Sequence, residues 1–145
     1  MFYPYKIVPH EGGFACLIPD LELYSVAPTA DEAEKMMRDA LMTNIDQEFR
    51  GRGEKVPMPS EPIKGEHTGI FCIDIKDESR IRLWNILQDK RLTVAEFGRL
   101  FGISRQQAHN MISGWGSTSM EKYCAAFEML GYNVRLELIP AKPEN

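Results

Sequence analysis

Four helix-start signatures crowd the stretch between Ser79 and Glu121, and they constrain this chain more than any other feature. Ser79 precedes the apolar positions Ile81, Leu83, Trp84 and Leu87. Thr93 is followed three residues on by Glu96, Ser104 by Gln107 and Thr118 by Glu121. A hydroxyl that caps the first turn, with a Glu or Gln reaching back, satisfies amides that a helix start otherwise leaves orphaned. Starts this close together allow only short helices joined by tight corners, and short helices persist only when their apolar faces pack together. The expected helices open at Ser79, at Thr93 (to Phe101), at Ser104 (to Ser113) and at Thr118 (to Leu130, stopped by Gly131). The period then changes to two. Tyr132, Val134, Leu136 and Leu138 alternate with Asn133, Arg135 and Glu137, which predicts a terminal strand Tyr132–Ile139. No hairpin partner lies near it in sequence. An unpaired apolar strand invites pairing across a two-fold axis, so a homodimer or higher oligomer is expected; the other assignment adds the strand to a sheet of the same chain.

The first half has a different pattern. Aromatic and β-branched residues in Phe2–Val8, the turn His10–Gly13 and the run Phe14–Ile18 predict a hairpin, with Leu23–Ala27 as a third strand. Thr29, with Asp31 and Glu32 behind it, opens a helix whose stripe is Ala33, Met36, Met37, Ala40, Leu41, Ile45 and Phe49, stopped by Gly51 and Gly53. The segment Val56–Pro62 reads as a polyproline-like connection. The nearly continuous apolar run Ile70–Ile75 predicts a fourth strand, interior to its sheet. Lys76–Ser79 reads as a short polar joint. The fold class is therefore α+β: a β-β-β-α-β two-layer domain over residues 1–76, then an all-α domain with a terminal strand over residues 77–145.

The helices at Thr93 and Ser104 have the form of a helix-turn-helix, in which the second helix enters the major groove of DNA. Ala95 and Leu100 are expected to pack inward. Gly102 permits a corner that needs positive φ, and Ile103 pins that corner to the core. Ala108, Met111 and Ile112 would face the core, which leaves Arg105, Gln106, His109 and Asn110 outside. Arginine can pair bidentately with guanine, and glutamine or asparagine with adenine. The amides around Thr93 could take a phosphate. The DNA-contacting set is thus Thr93, Ser104, Arg105, Gln106, Gln107, His109 and Asn110, within residues 92–115. An ordinary pair of surface helices would also show polar outward residues; the ordered caps, corner glycine and apolar peg favour DNA.

Charge divides the chain in the same way. Residues 1–68 hold seven Lys/Arg against twelve Asp/Glu, a net of −5, whereas Arg80–Lys122 holds seven against three, a net of +4. The first half suits a basic protein and the second can approach phosphates. Catalysis and metal binding are not expected. His10, His67 and His109 are scattered, and no CxxC pair exists. Cys16, Cys72 and Cys124 read as buried free thiols. Asp20, at a strand end, reads as a loop or capping residue, because a two-metal nuclease needs several converging acids and the first strand has none. No cofactor is implied. No apolar run approaches the roughly 18 residues of a membrane span and no signal-peptide core is present, so a cytoplasmic protein is expected.

The two halves together resemble HicB-type antitoxins. The resemblance rests on Pro19-Asp20-Leu21 after the hairpin, Thr29 with Glu32-Ala33, the later Ala40-Leu41 and the connection Val56–Pro62. It continues from Leu92 to Ser113, which is similar to the phage-repressor helix-turn-helix that one branch of the family carries. It spans residues 2–139. Many relatives have Gly-Cys after Pro-Asp-Leu and Gly-Asp before the capping Thr; this chain has Glu22-Leu23 and Ala27-Pro28. The resemblance implies an N-terminal module like a pared-down RNase H fold without catalytic acids. It further implies that residues 1–76 bind and block a small basic HicA-type toxin that cleaves mRNA, while the C-terminal domain represses the operon. A stand-alone transcription regulator with an N-terminal small-ligand sensor is the other reading.

Overall fold

A computed structural model describes residues 1–140. Four strands, β1 (Phe2–His10), β2 (Gly13–Ile18), β3 (Leu23–Ala27) and β4 (Thr68–Cys72), form one antiparallel sheet in the order β3-β2-β1-β4. Helix α1 (Ala30–Glu48) follows β3 and covers one face. Its N-cap is Thr29, whose hydroxyl accepts the Glu32 amide at 3.2 Å. Ala33, Met37, Leu41 and Ile45 point into a core with Tyr3, Cys16, Ile18 and Phe71. Alternation puts the other side chains of each strand on the opposite face, where Tyr24, Val26 and Ile70 are exposed.

The connection after α1 is fastened by side chains. Asp20 accepts from the Ser60 amide at 2.9 Å and its hydroxyl at 3.1 Å, so it acts as a loop anchor. The Tyr3 hydroxyl donates to the Pro57 carbonyl at 2.6 Å.

The run Ile70–Ile75 does not form an interior strand. β4 covers Thr68–Cys72 and lies at the sheet edge, paired only with β1. Its apolar character reflects Phe71 entering the core and Ile73 following it there, while Ile70 and Cys72 face out. The polar joint Lys76–Ser79 is absent too. Helix α2 (Ile75–Lys90) starts before it, capped by Asp74, whose carboxylate accepts the Asp77 amide at 2.8 Å. Ser79 is buried inside α2, where its hydroxyl donates to the Ile75 carbonyl instead of capping.

Three further helices follow among the described residues: α3 (Val94–Phe101), α4 (Arg105–Ser113) and α5 (Met120–Met129). The cap of α5 is Ser119, which accepts the Lys122 amide at 3.2 Å; Thr118 stands one residue too early. Leu83, Ile86 and Leu87 from α2 join Phe97, Ala108, Met111, Ile112, Tyr123 and Phe127 in a second core. Ile81 belongs to the first core, and Trp84 packs against both. Helix α2 is therefore apolar on two sides and shared by the two units.

Polar bonds complete that joint. The Asn85 carboxamide accepts from the Val56 amide and donates to the Val56 carbonyl, both at 2.8 Å. The Trp84 indole donates to the Glu54 carbonyl at 2.8 Å. The buried Arg80 guanidinium donates to Asp46 of α1 at 2.8 Å, to Asp77 at 2.9 Å and to the Ile112 carbonyl of α4 at 3.4 Å. Burial opposes its charge, but the hydrogen bonds it donates to Asp46 and Asp77 outweigh that and keep it firmly protonated.

The terminal strand is not formed within this chain. Residues 132–140 have neither helix nor strand and pair with no strand of the sheet, so addition to the N-terminal sheet is excluded among the described residues. Tyr132, Val134, Leu136, Leu138 and Ile139 are exposed, Leu138 to 85%. The cysteines also differ from expectation. Only Cys16 is buried; Cys124 is half-buried, and Cys72 is exposed because it sits on the outer face of an edge strand. Burial pushes the Cys16 thiol up to about 11, so it stays protonated at neutral pH.

Two outcomes are expected. Asn85→Ala leaves both Val56 backbone groups without their partner and should lower unfolding free energy by about 2 kcal/mol in urea titration. A short iodoacetamide pulse at pH 8, read by peptide mass spectrometry, should alkylate Cys72 well before Cys16.

Candidate nucleic-acid interface

The geometry around α3 and α4 follows from their caps and corner. Thr93 accepts the Glu96 amide at 3.0 Å and opens α3. Gly102 ends it with φ of +75°, a left-handed conformation that a side chain would strain. Ser104 then opens α4 at once. Its hydroxyl accepts the Gln107 amide at 3.1 Å, and the Gln107 carboxamide accepts the Ser104 amide at 3.0 Å, a complete capping box. The two helices cross closely because Gly98 faces Ala108; a Cβ on Gly98 would lie 3.2 Å from the Ala108 methyl.

The inward set of α4 is Ala108, Met111 and Ile112, all buried. Ile103 is half-buried and packs on the same core, as its place at the corner requires. The inward set of α3 differs from expectation. Phe97 and Gly98 are buried, Ala95 is only half-buried, and Leu100 is 59% exposed. Leu100 falls on the outer side because the close Gly98–Ala108 approach turns the Phe97–Gly98 face of α3 toward α4. Phe101 stacks on Phe97, with ring centroids 5.6 Å apart.

The seven candidate residues separate into groups. Thr93, Arg105, Gln106 and His109 meet with Val94 and Ala95 around one open cleft of about 590 Å³, between the N-terminal ends of α3 and α4. Arg105, Gln106 and His109 are exposed there. Ser104 and Gln107 are spent on each other in the capping box, so their side chains shape the helix start more than they offer free donors. Asn110 is half-buried. Its carboxamide oxygen accepts from Gln106 at 2.9 Å, which orients the Gln106 amide. Asn110 also lines a second cleft of about 440 Å³ with Asp74, Arg80 and Tyr123. Buried Tyr123 donates from its hydroxyl to the Met111 carbonyl at 2.8 Å, so α5 braces α4 from behind.

Sequence reasoning missed Arg80 and Tyr123, which hold the backbone of α4 at Ile112 and Met111. The only hint was an arginine placed directly before the apolar stretch Ile81–Leu87, with Asp77 three residues before it. Nothing local pointed to Asp46. The cleft presents a cation, one carboxamide, an imidazole and a hydroxyl beside a helix start. Such a set can bond to phosphate oxygens and to base edges. Among the described residues, no group of three or more His, Cys, Asp or Glu is placed to hold a metal ion. Among the same residues, no helix is long and apolar enough to cross a membrane.

The cap predicts a separation of roles. Ser104→Ala should cost about 1 kcal/mol of stability in urea titration, because the N-terminal amides of α4 lose their acceptor.

No family model matches the chain. It is 32% identical over 140 residues to a protein named Antitoxin HicB 2 from Photorhabdus laumondii subsp. laumondii, across 96% of this chain and 97% of that one. It is 26% identical over 141 residues to each of two proteins named Antitoxin HicB, from Escherichia coli K12 and from Escherichia coli O157:H7, across 96% of this chain and 100% of theirs. A match of that identity, running nearly end to end on both proteins, shows that the chain belongs to the HicB antitoxin family.

Proposed function

We propose that this protein is an antitoxin that neutralises a HicA-type, mRNA-cleaving toxin and represses its own operon by binding DNA. Family membership supports the antitoxin role. The observation that carries the DNA role is the cleft where Thr93, Arg105, Gln106 and His109 meet at the N-terminal end of α4. In this reading α3 and α4 are a phage-repressor-type helix-turn-helix, and α4 is the recognition helix. Arg105 and Gln106 read base edges, with Gln106 held by Asn110. Thr93 and His109 face the phosphate backbone, and Ser104 and Gln107 act through the cap.

The sheet and α1 form the toxin-binding domain, residues 1–76, as a degenerate RNase H-like module without enzyme activity. Its acidic balance of seven Lys/Arg to twelve Asp/Glu over residues 1–68 favours a basic partner. Residues 77–145 form the DNA-binding domain. The protein works in the cytoplasm as a homodimer or higher oligomer, assembled through Tyr132–Ile139, because one recognition helix reads few base pairs and paired half-sites supply the rest.

Two measurements test this. Co-expression should rescue cells from the toxicity of a basic protein encoded beside this gene, and failure to rescue rejects the antitoxin role. Arg105→Ala should weaken operator binding by about 1–3 kcal/mol in gel-shift titration and relax specificity, with toxin binding unchanged. Unaltered operator binding rejects α4 as the reader.

A further inference from the structure

The last turn of α4 is held by three different parts of the molecule. The Asn110 carbonyl accepts from the Gly114 amide, the Met111 carbonyl from the Tyr123 hydroxyl and the Ile112 carbonyl from the Arg80 guanidinium. A helix end leaves its final carbonyls without intrahelical partners and favours a cation beside them. Gly114 and Tyr123 belong to the helical unit. Arg80 comes paired with Asp46 of α1, which belongs to the sheet unit.

A guanidinium is a rigid plane with its donors in fixed directions. The Nε edge of Arg80 bonds Asp77, three residues earlier on the same helix, at 2.9 Å. That bond alone leaves the plane free to turn. Asp46 removes the freedom, with Oδ1 accepting from Nη1 at 2.8 Å and Oδ2 from Nη2 at 3.3 Å. Nη1 then has one direction left for its second hydrogen, and the Ile112 carbonyl lies there at 3.4 Å. The side chain also lies close against Gly114, where a Cβ would come within 3.0 Å of Arg80 Nε. Helix α4 thus ends against a surface whose orientation α1 fixes.

We infer that Asp46 sets the bearing of α4 through Arg80 and is thereby a positioning residue for DNA recognition. This inference rests on the reading of α4 as the recognition helix and extends it to a residue of the sheet unit. The nine residues of α4 span about 13 Å. A tilt of about 10° at the clamped end carries Arg105, at the other end, by roughly 2 Å, well beyond the roughly 0.5 Å window of a hydrogen bond. The other partner of Asp46 is Arg50, one turn on in α1 at 3.4 Å. The acidic unit, whose charge opposes DNA, therefore contributes to reading it without contact. Long-range electrostatics predicts the opposite sign for the same residue, because removing a negative charge strengthens attraction to phosphates.

Gel-shift titration of the full chain against a duplex from upstream of its own gene tests this. Asp46→Asn, which keeps the shape and loses the charge, should weaken binding about tenfold. Arg80→Lys, which keeps the charge and loses the fork, should weaken it likewise. Asn85→Ala loosens α2 from Val56 but leaves Arg80 in place, and it should bind as the wild type does. Unchanged or tighter binding by Asp46→Asn overturns the inference. Equal loss in Asn85→Ala also overturns it, since general loosening would then suffice. Amide NMR spectra of the free proteins examine the clamp without DNA. The Met111–Gly114 signals should move in Asp46→Asn and stay in Asn85→Ala. Signals that stay in Asp46→Asn overturn the inference whatever the duplex shows. Signals that move, in a protein whose wild type ignores the duplex, uphold the clamp and remove the repressor role alone.

Discussion

The Arg80 guanidinium is the interaction on which the arrangement of this molecule depends. It sits on α2, bonds both carboxylate oxygens of Asp46 on α1, and reaches the Ile112 carbonyl on α4. A cation this buried is tolerable only because its donors are matched by two acids and a backbone carbonyl. Three helices must therefore be in place together. Trp84 and Asn85 repeat the logic one turn on, where they fasten α2 to the backbone at Glu54 and Val56. The sheet unit and the helical unit have separate cores, but neither closes without α2.

That sharing explains where the sequence could be read and where it could not. Elements with one buried face were legible. The hairpin, β3, α1 and α4 show clean alternation or stripes, and the Ser104–Gln107 box marks its helix to the residue. α2 has apolar residues on two sides, so its periodicity blurs and its start at Asp74 was hidden beneath an apparent polar joint. The same ambiguity affected Ile70–Ile75. A continuous apolar run can mean a strand buried on both faces, but here it is an edge strand that leads straight into a helix. A pattern of residue types does not record how many neighbours an element has.

The candidate interface was legible for a related reason. Arg105, Gln106 and His109 follow a cap and precede an apolar stripe, so local sequence alone places them outside. The residues that hold them there act over long range. Arg80 and Tyr123 bond backbone carbonyls of α4, and any residue carries a carbonyl, so no side-chain pattern announces the contact. Leu100 shows the converse. Its type argues for burial, but the close approach of Gly98 to Ala108 sets the rotation of α3 and leaves Leu100 in solvent.

Helix α2 has a mechanical consequence as well. Its sixteen residues make a strut about 24 Å long. It is clamped at Arg80 and Asn85 to the sheet unit and packed along Leu83–Leu87 against α4. A strut held on both sides has no free swivel. Whatever docks on the sheet is then carried at a fixed bearing from α4, like two tools on one handle. Communication between the surfaces would run through bulk and reach: an occupant of one is felt at the other by the space it fills, without the protein having to change shape.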